Sequence, residues 1–405
     1  MTKIGGRTTH TYARRIHIYL HCVNCVSAAG VTLEATKEAL FSDKPKALTV
    51  YPGLLGEIAL AYGLVKEAGP VTGNFAFDLT RTNRLIDLCL KGMTGLTDAL
   101  ARYAPERIAV VVGATTSGMR ELEEGVRVLL QTGQTPGGFT PDVLNLSGPA
   151  LHLADRVGAA GPVYTVSNAC ASGALALASA ASLIKAGAAD AVVAGGIDGF
   201  SRFTTSGFYA LGALSLVQCR PFAADRSGIN LGEGGALMLL TKEESPVRLA
   251  GFAHTCDAYH PSAPDPEGIE ASKAMQMALA AAGLAPTAVD FVSAHGTATP
   301  LNDAMEAKAV NRVFGAQTPV ASLKGLTGHT LAGAGALQAA FAWILLTMNP
   351  EGRLPVNTLS PVKDPALAAI DLVTEPRVIG RKIKVVAGNA FAFGGANASL
   401  VFTGE

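Results

Sequence analysis

Along most of the chain, short runs of consecutive apolar residues alternate with longer stretches in which small and apolar residues recur every three or four positions. The short runs are rich in β-branched residues and bounded by turn formers, which predicts strands over residues 16–20, 108–112, 163–167, 191–194, 236–240, 291–294, 320–323, 385–387 and 398–402. The longer stretches predict helices over 33–39, 83–103, 117–130, 171–186, 269–282, 301–314 and 333–346. Apolar strands separated by helices of this length need crossover connections, so the sheets should be parallel and covered on both faces. The expected fold class is α/β.

The pattern also repeats once, half against half. A strand, a Gly/Ala/Thr loop and an acidic helix over 108–128 are matched in the same order over 289–310. The strand at 163–167, its turn and the Ala-rich helix after Cys170 are matched by 320–323, a Gly-rich turn and the Ala-rich helix after His329. Residues 232–241 (GEGGALMLLT) are matched by 394–403 (GGANASLVFT). Three matches in one order imply two similar halves, 16–243 and 246–405, about a pseudo-two-fold axis, after a polar extension of residues 1–15. The helices opening at Cys170 and His329 are then equivalent, and their N-termini meet at the centre.

That meeting point suits chemistry. Helix N-termini stabilise anions, so a cysteine there should have a lowered pKa, while a histidine there should stay neutral. Around Cys170 the sequence reads VSNACASGALAL, a strand, a sharp turn and a helix of small residues, the pattern of a nucleophile elbow with sulfur in place of oxygen. A free cysteine is more often a small core residue; its place at a strand-to-helix turn, with histidines in matching loops, favours a nucleophile. His295 (AHGTATPLNDAME) and His329 (KGLTGHTLAGAG) lie in Gly-rich loops at strand ends, where α/β sheets bind ligands. Phe391 and Phe393 stand beside paired glycines, in either a mobile loop offering a backbone N–H or a hairpin corner with core aromatics.

Composition narrows the classes. Of 405 residues 49% are hydrophobic and only 16% charged, against a usual ~25%, which predicts surface covered by another subunit. The balance of 32 basic and 32 acidic residues argues against a coat for nucleic acid or an anionic membrane. No apolar run approaches the ~20 residues that span a bilayer. Six scattered cysteines without a secretory signal point to reduced thiols and a cytoplasmic protein. Cys22 and Cys25 form a C-x-x-C pair with no second pair, so no metal site is expected.

Taken together, several motifs resemble the β-ketoacyl-acyl carrier protein synthases, condensing enzymes of the thiolase superfamily, from residue 16 to 402. They are ACASG around Cys170, AGG at 194–196, GFYALGALS at 207–215, RPFAADRSG at 220–228, GEGG at 232–235, HGTAT at 295–299, KGLTGH at 324–329 and FAFGGAN at 391–397. The resemblance implies a five-layered αβαβα fold of two thiolase-like halves and a dimer, either homodimeric or with a second ketosynthase-like subunit. It implies that Cys170 accepts the acyl chain as a thioester, and that His295 and His329 hold the malonyl thioester through decarboxylation, with Lys324 in support. The N–H groups of Cys170 and Phe393 would form the oxyanion hole, with Phe393 as a gate. Thr297 and Thr299 would contact the phosphopantetheine arm, and Phe391, Gly394 and Thr116 would also touch substrate. No metal or dissociable cofactor is implied, because phosphopantetheine arrives on the acyl carrier protein.

At the position matching Thr116 the family lines its acyl tunnel with a bulky residue, so a medium, long or unsaturated chain is expected here. An acidic carrier should need a basic patch at the entrance, with Arg81, Arg84 and Lys91 as candidates. Departures from the family pattern include Gln338 for a usual Glu, Ala223 and Ser227 for acidic residues, Ala392 for a Gly, and HCVN at 21–24. They suggest a divergent member of secondary metabolism. The alternative is a chain-length-setting partner subunit, which usually lacks the cysteine.

Overall fold

A computed structural model describes residues 16–42, 48–67, 73, 76–136, 139–357 and 363–405; the polar segment 1–15 lies outside them. The first half runs β1 (Tyr19–Val26), α1 (Leu33–Leu40), β2 (Thr49–Leu55), β3 (Ile58–Tyr62), α2 (Arg81–Lys91), α3 (Leu96–Leu100), β4 (Ile108–Gly113), α4 (Met119–Thr132), α5 (Gly148–Val157), β5 (Val163–Val166), α6 (Ser172–Lys185), β6 (Ala191–Asp198), α7 (Arg202–Ala210) and β7 (Gly234–Thr241). The second runs β8 (Val247–Cys256), α8 (Ile269–Ala282), β9 (Phe291–Ser293), α9 (Pro300–Phe314), β10 (Pro319–Ala321), α10 (Lys324–Thr327), α11 (Gly333–Thr347), β11 (Arg353–Leu354), β12 (Asp371–Leu372), β13 (Arg377–Val378), β14 (Val385–Phe391) and β15 (Ala396–Gly404).

The halves repeat in topology. The first orders its strands β5-β4-β6-β7-β1 and the second β10-β9-β14-β15-β8, with β12 added at the outer edge. In each, the first three strands are parallel and the last two antiparallel. Two residue pairs between β1 and β8, Tyr19 with Arg248 and Leu20 with Val247, join the half-sheets.

Burial explains the layering. Every residue of β4, β6, β7 and β14 is buried, as strands covered on both faces require. Helix α11 (GAGALQAAFAWILLT) is apolar around most of its circumference and nearly all buried, so it belongs inside the molecule. With α6 it forms a middle layer between the half-sheets, and one core unites both helices with strands of both halves. Helices α2 and α5 cover the outer face of the first half-sheet, and α8 and α9 that of the second. The order is αβαβα.

Several boundaries differ from expectation. The first strand starts at Tyr19 rather than residue 16 and continues to Val26 through a bulge between His21 and Asn24. The helix expected over 83–103 breaks after Lys91, where Gly92 caps α2, and resumes as α3 after the left-handed Gly95 (φ 76°). The hairpin β2–β3, helices α5 and α7, and strand β8 were not expected. Cys25 is a core residue with its Sγ 3.3 Å from Thr36 Oγ1, and Cys22 sits in the bulge at φ 48°. Among the described residues no cluster of three or more His, Cys, Asp or Glu has a metal-holding arrangement, and no helix is long and apolar enough to cross a membrane.

Candidate active site

Four matching strand-to-helix turns converge at the centre. The turns before α4, α6, α9 and α11 each hold one residue other than glycine in the left-handed region, Ser117 (φ 42°), Ala169 (42°), Ala298 (64°) and Leu331 (50°). Such residues cost of order 1–3 kcal/mol each and persist only where surrounding structure enforces them.

In the α6 turn, Ser172 provides the enforcement. Its hydroxyl donates to Ala169 O (2.6 Å) and accepts from Asn168 N (2.7 Å), folding the chain so that Cys170 stands at the helix entrance. The thiol is not activated as the sequence suggests: burial pushes its pKa up to about 12, against the pull of the Lys324 ammonium. Burial is the main cause, and the turn does little to offset it. The N–H groups of Ala171, Ser172 and Gly173 are already given to the carbonyls of Asn168, Ala169 and Ala332, so the helix end offers sulfur none of them. At rest Cys170 is a thiol.

The last of those bonds, Gly173 N to Ala332 O at 3.0 Å, crosses between halves and ties the start of α6 to that of α11. Asp198 makes the second tie. Its carboxylate accepts from Thr115 N (2.8 Å), Thr116 N (2.9 Å), both threonine hydroxyls (2.5 and 3.0 Å) and Ala332 N (2.9 Å). Burial raises its pKa against those five bonds.

His295 and His329 come together on this frame. Both are buried, and their rings meet edge-on with centroids 5.4 Å apart. Burial, with the Lys324 charge beside them, holds both well below the ordinary imidazole pKa, so both are neutral. Their tautomers follow from their partners. Leu331 N donates to His329 Nδ1 at 3.2 Å, and the Lys324 ammonium stands 3.3 Å from His295 Nδ1 while also bonding His295 O. An acceptor Nδ1 leaves the proton on Nε2. Each ring is therefore an Nε2–H donor.

The His295 loop is held from beneath by α9, through two carboxylates the sequence reading passed over. Glu306 Oε1 accepts from His295 N (2.7 Å) and Oε2 from Gly296 N (2.6 Å); Asp303 accepts from Ala298 N (3.1 Å) and Phe222 N (2.7 Å). The signal was present in the spacing: Asp303 and Glu306 are three apart on the helix that follows the histidine loop, hence on one face. Burial pushes the Glu306 carboxyl up and the Lys324 ammonium down, and their mutual attraction opposes both shifts. Gln338 donates to Ser293 O and Ala294 O at the end of β9 (3.3 and 3.0 Å), so Glu306 is the anion that balances Lys324.

Two cavities meet at Cys170. One, of about 300 Å³, reaches the surface and is lined by His295, His329, Thr297, Thr299 and Phe391 among others; the hydroxyls of Thr297 and Thr299 lie 2.9 Å apart. The other, of about 320 Å³, is walled by Thr116, Met119, Phe203 and Leu331. Cys170, Phe208, Leu211 and Phe393 form the wall between them. Phe393 is 36% exposed, its ring is 5.7 Å from that of Phe208, and its N–H has no acceptor among the described residues.

Two expectations are corrected, those for Gly394 and Arg81, and the place of Thr116 is refined. Gly394 lines neither cavity; at φ 83° it shapes the loop and donates to Pro261 O at 2.8 Å. Arg81 is no surface cation: its guanidinium is buried against Glu233, with Nε 2.9 Å from Oε2. Thr116 lines the second cavity with its hydroxyl turned away, to Asp198 and to Gly199 O at 3.0 Å.

The site offers a protected thiol, two neutral N–H donors and a free backbone N–H around one cavity, the inventory for acyl transfer with a developing oxyanion. Comparison with known proteins agrees. Residues 93–245 match the model of the β-ketoacyl synthase N-terminal domain, and 247–353 that of the C-terminal domain. The 3-oxoacyl-[acyl-carrier-protein] synthase 2 of Synechocystis sp. is 33% identical over 320 residues, covering 73% of this chain and 75% of that protein. Nodulation protein E of Rhizobium leguminosarum bv. trifolii is 37% identical over 309 residues, covering 73% and 75%. Among solved structures, a chain of the ketosynthase ApeO in complex with its chain length factor ApeC, from Xenorhabdus doucetiae, is 36% identical with a TM-score of 0.90, covering 98% of this chain and 100% of that one. The two domain matches, the coverage of the relatives and the shared fold place this chain in the β-ketoacyl synthase family of condensing acyltransferases.

Proposed function

We propose that the protein is a 3-oxoacyl-[acyl-carrier-protein] synthase, extending an acyl chain by decarboxylative condensation with malonyl-carrier protein in fatty acid or polyketide biosynthesis. The observation that carries this reading is Cys170 at the junction of two cavities, facing two neutral histidines that each offer an Nε2–H. Cys170 Sγ attacks the acyl thioester; the carbon–sulfur bond to the carrier breaks, and the pantetheine thiol leaves with the cysteine proton. The acyl chain rests in the cavity walled by Thr116 and Met119, with the N–H groups of Cys170 and Phe393 on its carbonyl oxygen.

Malonyl-carrier protein then enters past Thr297 and Thr299. Its carboxylate leaves as carbon dioxide, and the bonding pair passes to an enolate whose oxygen the two Nε2–H groups stabilise. The enolate carbon attacks the acyl-enzyme, the Cys170–acyl bond breaks with its electron pair on sulfur, and the thiolate takes up one proton from solvent to restore the thiol. No proton is taken from carbon, so neutral histidines serve better than bases. The reaction needs no metal or dissociable cofactor, since phosphopantetheine comes with the substrate.

The same reading gives halves 16–243 and 246–405 one shared site, a cytoplasmic location and a second subunit. Val126, Leu129 and Leu130 leave an apolar stripe on the outside of α4, and the similar Xenorhabdus structure is a ketosynthase with a partner; both support a homodimer or a heterodimer with a ketosynthase-like chain. The alternative, a partner subunit that only sets chain length, is disfavoured by the intact cysteine. Mass spectrometry after incubation with acyl-carrier thioesters tests the proposal: the acyl mass should reside on Cys170, and Cys170→Ala should abolish it and condensation alike. Undiminished condensation by that variant would refute the assignment.

A further inference from the structure

The second cavity, which receives the acyl chain, is less polar than its lining residues imply. Among the described residues its wall holds three hydroxyl side chains, Thr115, Thr116 and Thr204, set among apolar neighbours such as Met119, Phe208 and Leu331. All three hydroxyls are engaged elsewhere. Asp198, the fully buried last residue of β6, takes two of them: Thr115 Oγ1 is 2.5 Å from its Oδ2, and Thr116 Oγ1 is 3.0 Å from its Oδ1 and 3.0 Å from Gly199 O. Thr204 Oγ1 lies 2.7 Å from Ser201 Oγ at the cap of α7.

Neighbouring backbone donors are committed in the same way. Asp198 holds Thr115 N and Thr116 N (2.8 and 2.9 Å), and Glu123 holds Arg202 N and Phe203 N at the start of α7 (3.0 and 2.5 Å). The N–H of Phe393 serves the thioester carbonyl at Cys170. Beyond that carbonyl an acyl chain meets methyl groups, aromatic rings and a thioether, with a buried carboxylate behind two of the methyls. An oxygen on the chain would lose its water, find no donor in exchange and lie toward a charge of its own sign.

We propose that Asp198 is a specificity-determining residue: by withdrawing the hydroxyls of Thr115 and Thr116 from the cavity, it makes the enzyme accept hydrocarbon acyl chains and refuse chains that keep oxygen at C3. The inference rests on the condensation proposed above and gives it a place in a sequence of reactions. Each condensation yields a 3-oxoacyl thioester, which this cavity does not take back. Before a further round, a reductase drawing hydride from its own donor must convert the oxo group to a hydroxyl, and a dehydratase must remove that hydroxyl as water. Unreduced chains of alternating carbonyls fall outside the range of the site.

Acyl transfer to Cys170 of the full-length protein, followed by intact-protein mass spectrometry, tests this with octanoyl, 2-octenoyl and 3-oxooctanoyl groups on the carrier protein. The first two should load with similar kcat/KM and the third roughly 10- to 100-fold less efficiently, the range in which an apolar pocket rejects an added oxygen. Asp198→Asn keeps the shape of the side chain and one acceptor oxygen, which stays at Oδ1, where three donors converge. At Oδ2 the Thr115 hydroxyl would then meet an NH₂ and have its own proton free for the cavity, so the preference should narrow to about three-fold or less. The ratio between donors is the readout, because a loosened site slows both alike. Equal loading of octanoyl and 3-oxooctanoyl groups by the unaltered protein, or a folded Asp198→Asn protein with the parent ratio, would overturn the assignment. If that variant does not fold, Thr116→Val decides: with the hydroxyl turned to Asp198 the ratio should stay at the parent value, whereas a preference that widens would show the hydroxyl reaching the chain and would overturn the assignment too. If the unaltered protein takes none of these groups onto Cys170, the condensing function itself is what fails.

Discussion

Glu306→Gln tests how the site is held. Each carboxylate oxygen of Glu306 accepts one buried backbone N–H, from His295 and from Gly296. A glutamine keeps one acceptor oxygen and turns an NH₂ toward the other N–H, leaving a buried donor unpaired at a cost of about 1–3 kcal/mol. If that cost is expressed in the placement of His295, condensation should slow roughly 5- to 150-fold, since 1.36 kcal/mol is tenfold in rate. A second effect is electrostatic. Glu306 is the leading charge sustaining the Lys324 ammonium, and that ammonium draws the Cys170 thiol downward. Without the carboxylate, Lys324 should lose its proton at lower pH and Cys170 should become a weaker acid. The assay is kcat/KM for condensation together with the rate of Cys170 alkylation by iodoacetamide across pH; both should fall, alkylation with its profile displaced to higher pH. A folded variant with both quantities within two-fold of the parent would refute the reasoning.

Other consequences are as direct. Alkylation of Cys170 in the unaltered protein should keep rising through pH 9 and 10, with no plateau where a free thiol titrates, because burial holds its pKa near 12. Enolate formation on the acyl-enzyme, followed as carbon dioxide release, should decline as pH falls through 7 with protonation of Glu306, whose carboxyl burial pushes up to about 7, and show no separate histidine step at 6.5, since both histidines are held well below that value and stay neutral. Gly173→Ala places a Cβ 2.5 Å from Ala332 O, so it should cost about 1–3 kcal/mol of stability by urea unfolding and push Cys170 away from the His329 loop. Thr116→Phe removes the hydroxyl bonds to Asp198 and Gly199 and sends a ring into the second cavity, so product chains should shorten by mass spectrometry; an unchanged length distribution would show that the chain does not lie there.

What the sequence revealed, and what it concealed, follows physical lines. Strands buried on both faces, such as β4 and β6, and helices apolar nearly all round, such as α6 and α11, announce themselves because burial alone dictates their composition. Their order disclosed the repeat, and the equivalence of the turns before α6 and α11 explains why Cys170 and His329 were read as one site. Elements made by partners rather than composition were missed. Helix α7 (RFTTSGFYA) is poor in helix formers; Ser201 caps it, and Glu123 on α4 accepts from the N–H groups of Arg202 and Phe203 at its first turn. Strand β8 (VRLAGFAHTC) mixes large apolar, small and charged residues without a β-branched run and takes its identity from long pairing with β15. The cysteine pKa runs opposite to the expectation because burial outweighs the helix N-terminus, three of whose N–H groups are already bonded.

The middle layer has a consequence for biosynthesis. Helix α6 is complete at Lys185, whereas its neighbour α11 begins at Gly333, roughly 150 residues later in the chain. At ~5–20 residues per second, the apolar face of α6 waits on the order of 10 to 30 s for its cover during synthesis. The nascent first half is therefore the species most exposed to aggregation and the natural client for a chaperone. Its cysteine, meanwhile, has no histidine beside it until the second half folds, so the incomplete chain cannot carry out the reaction of the finished one.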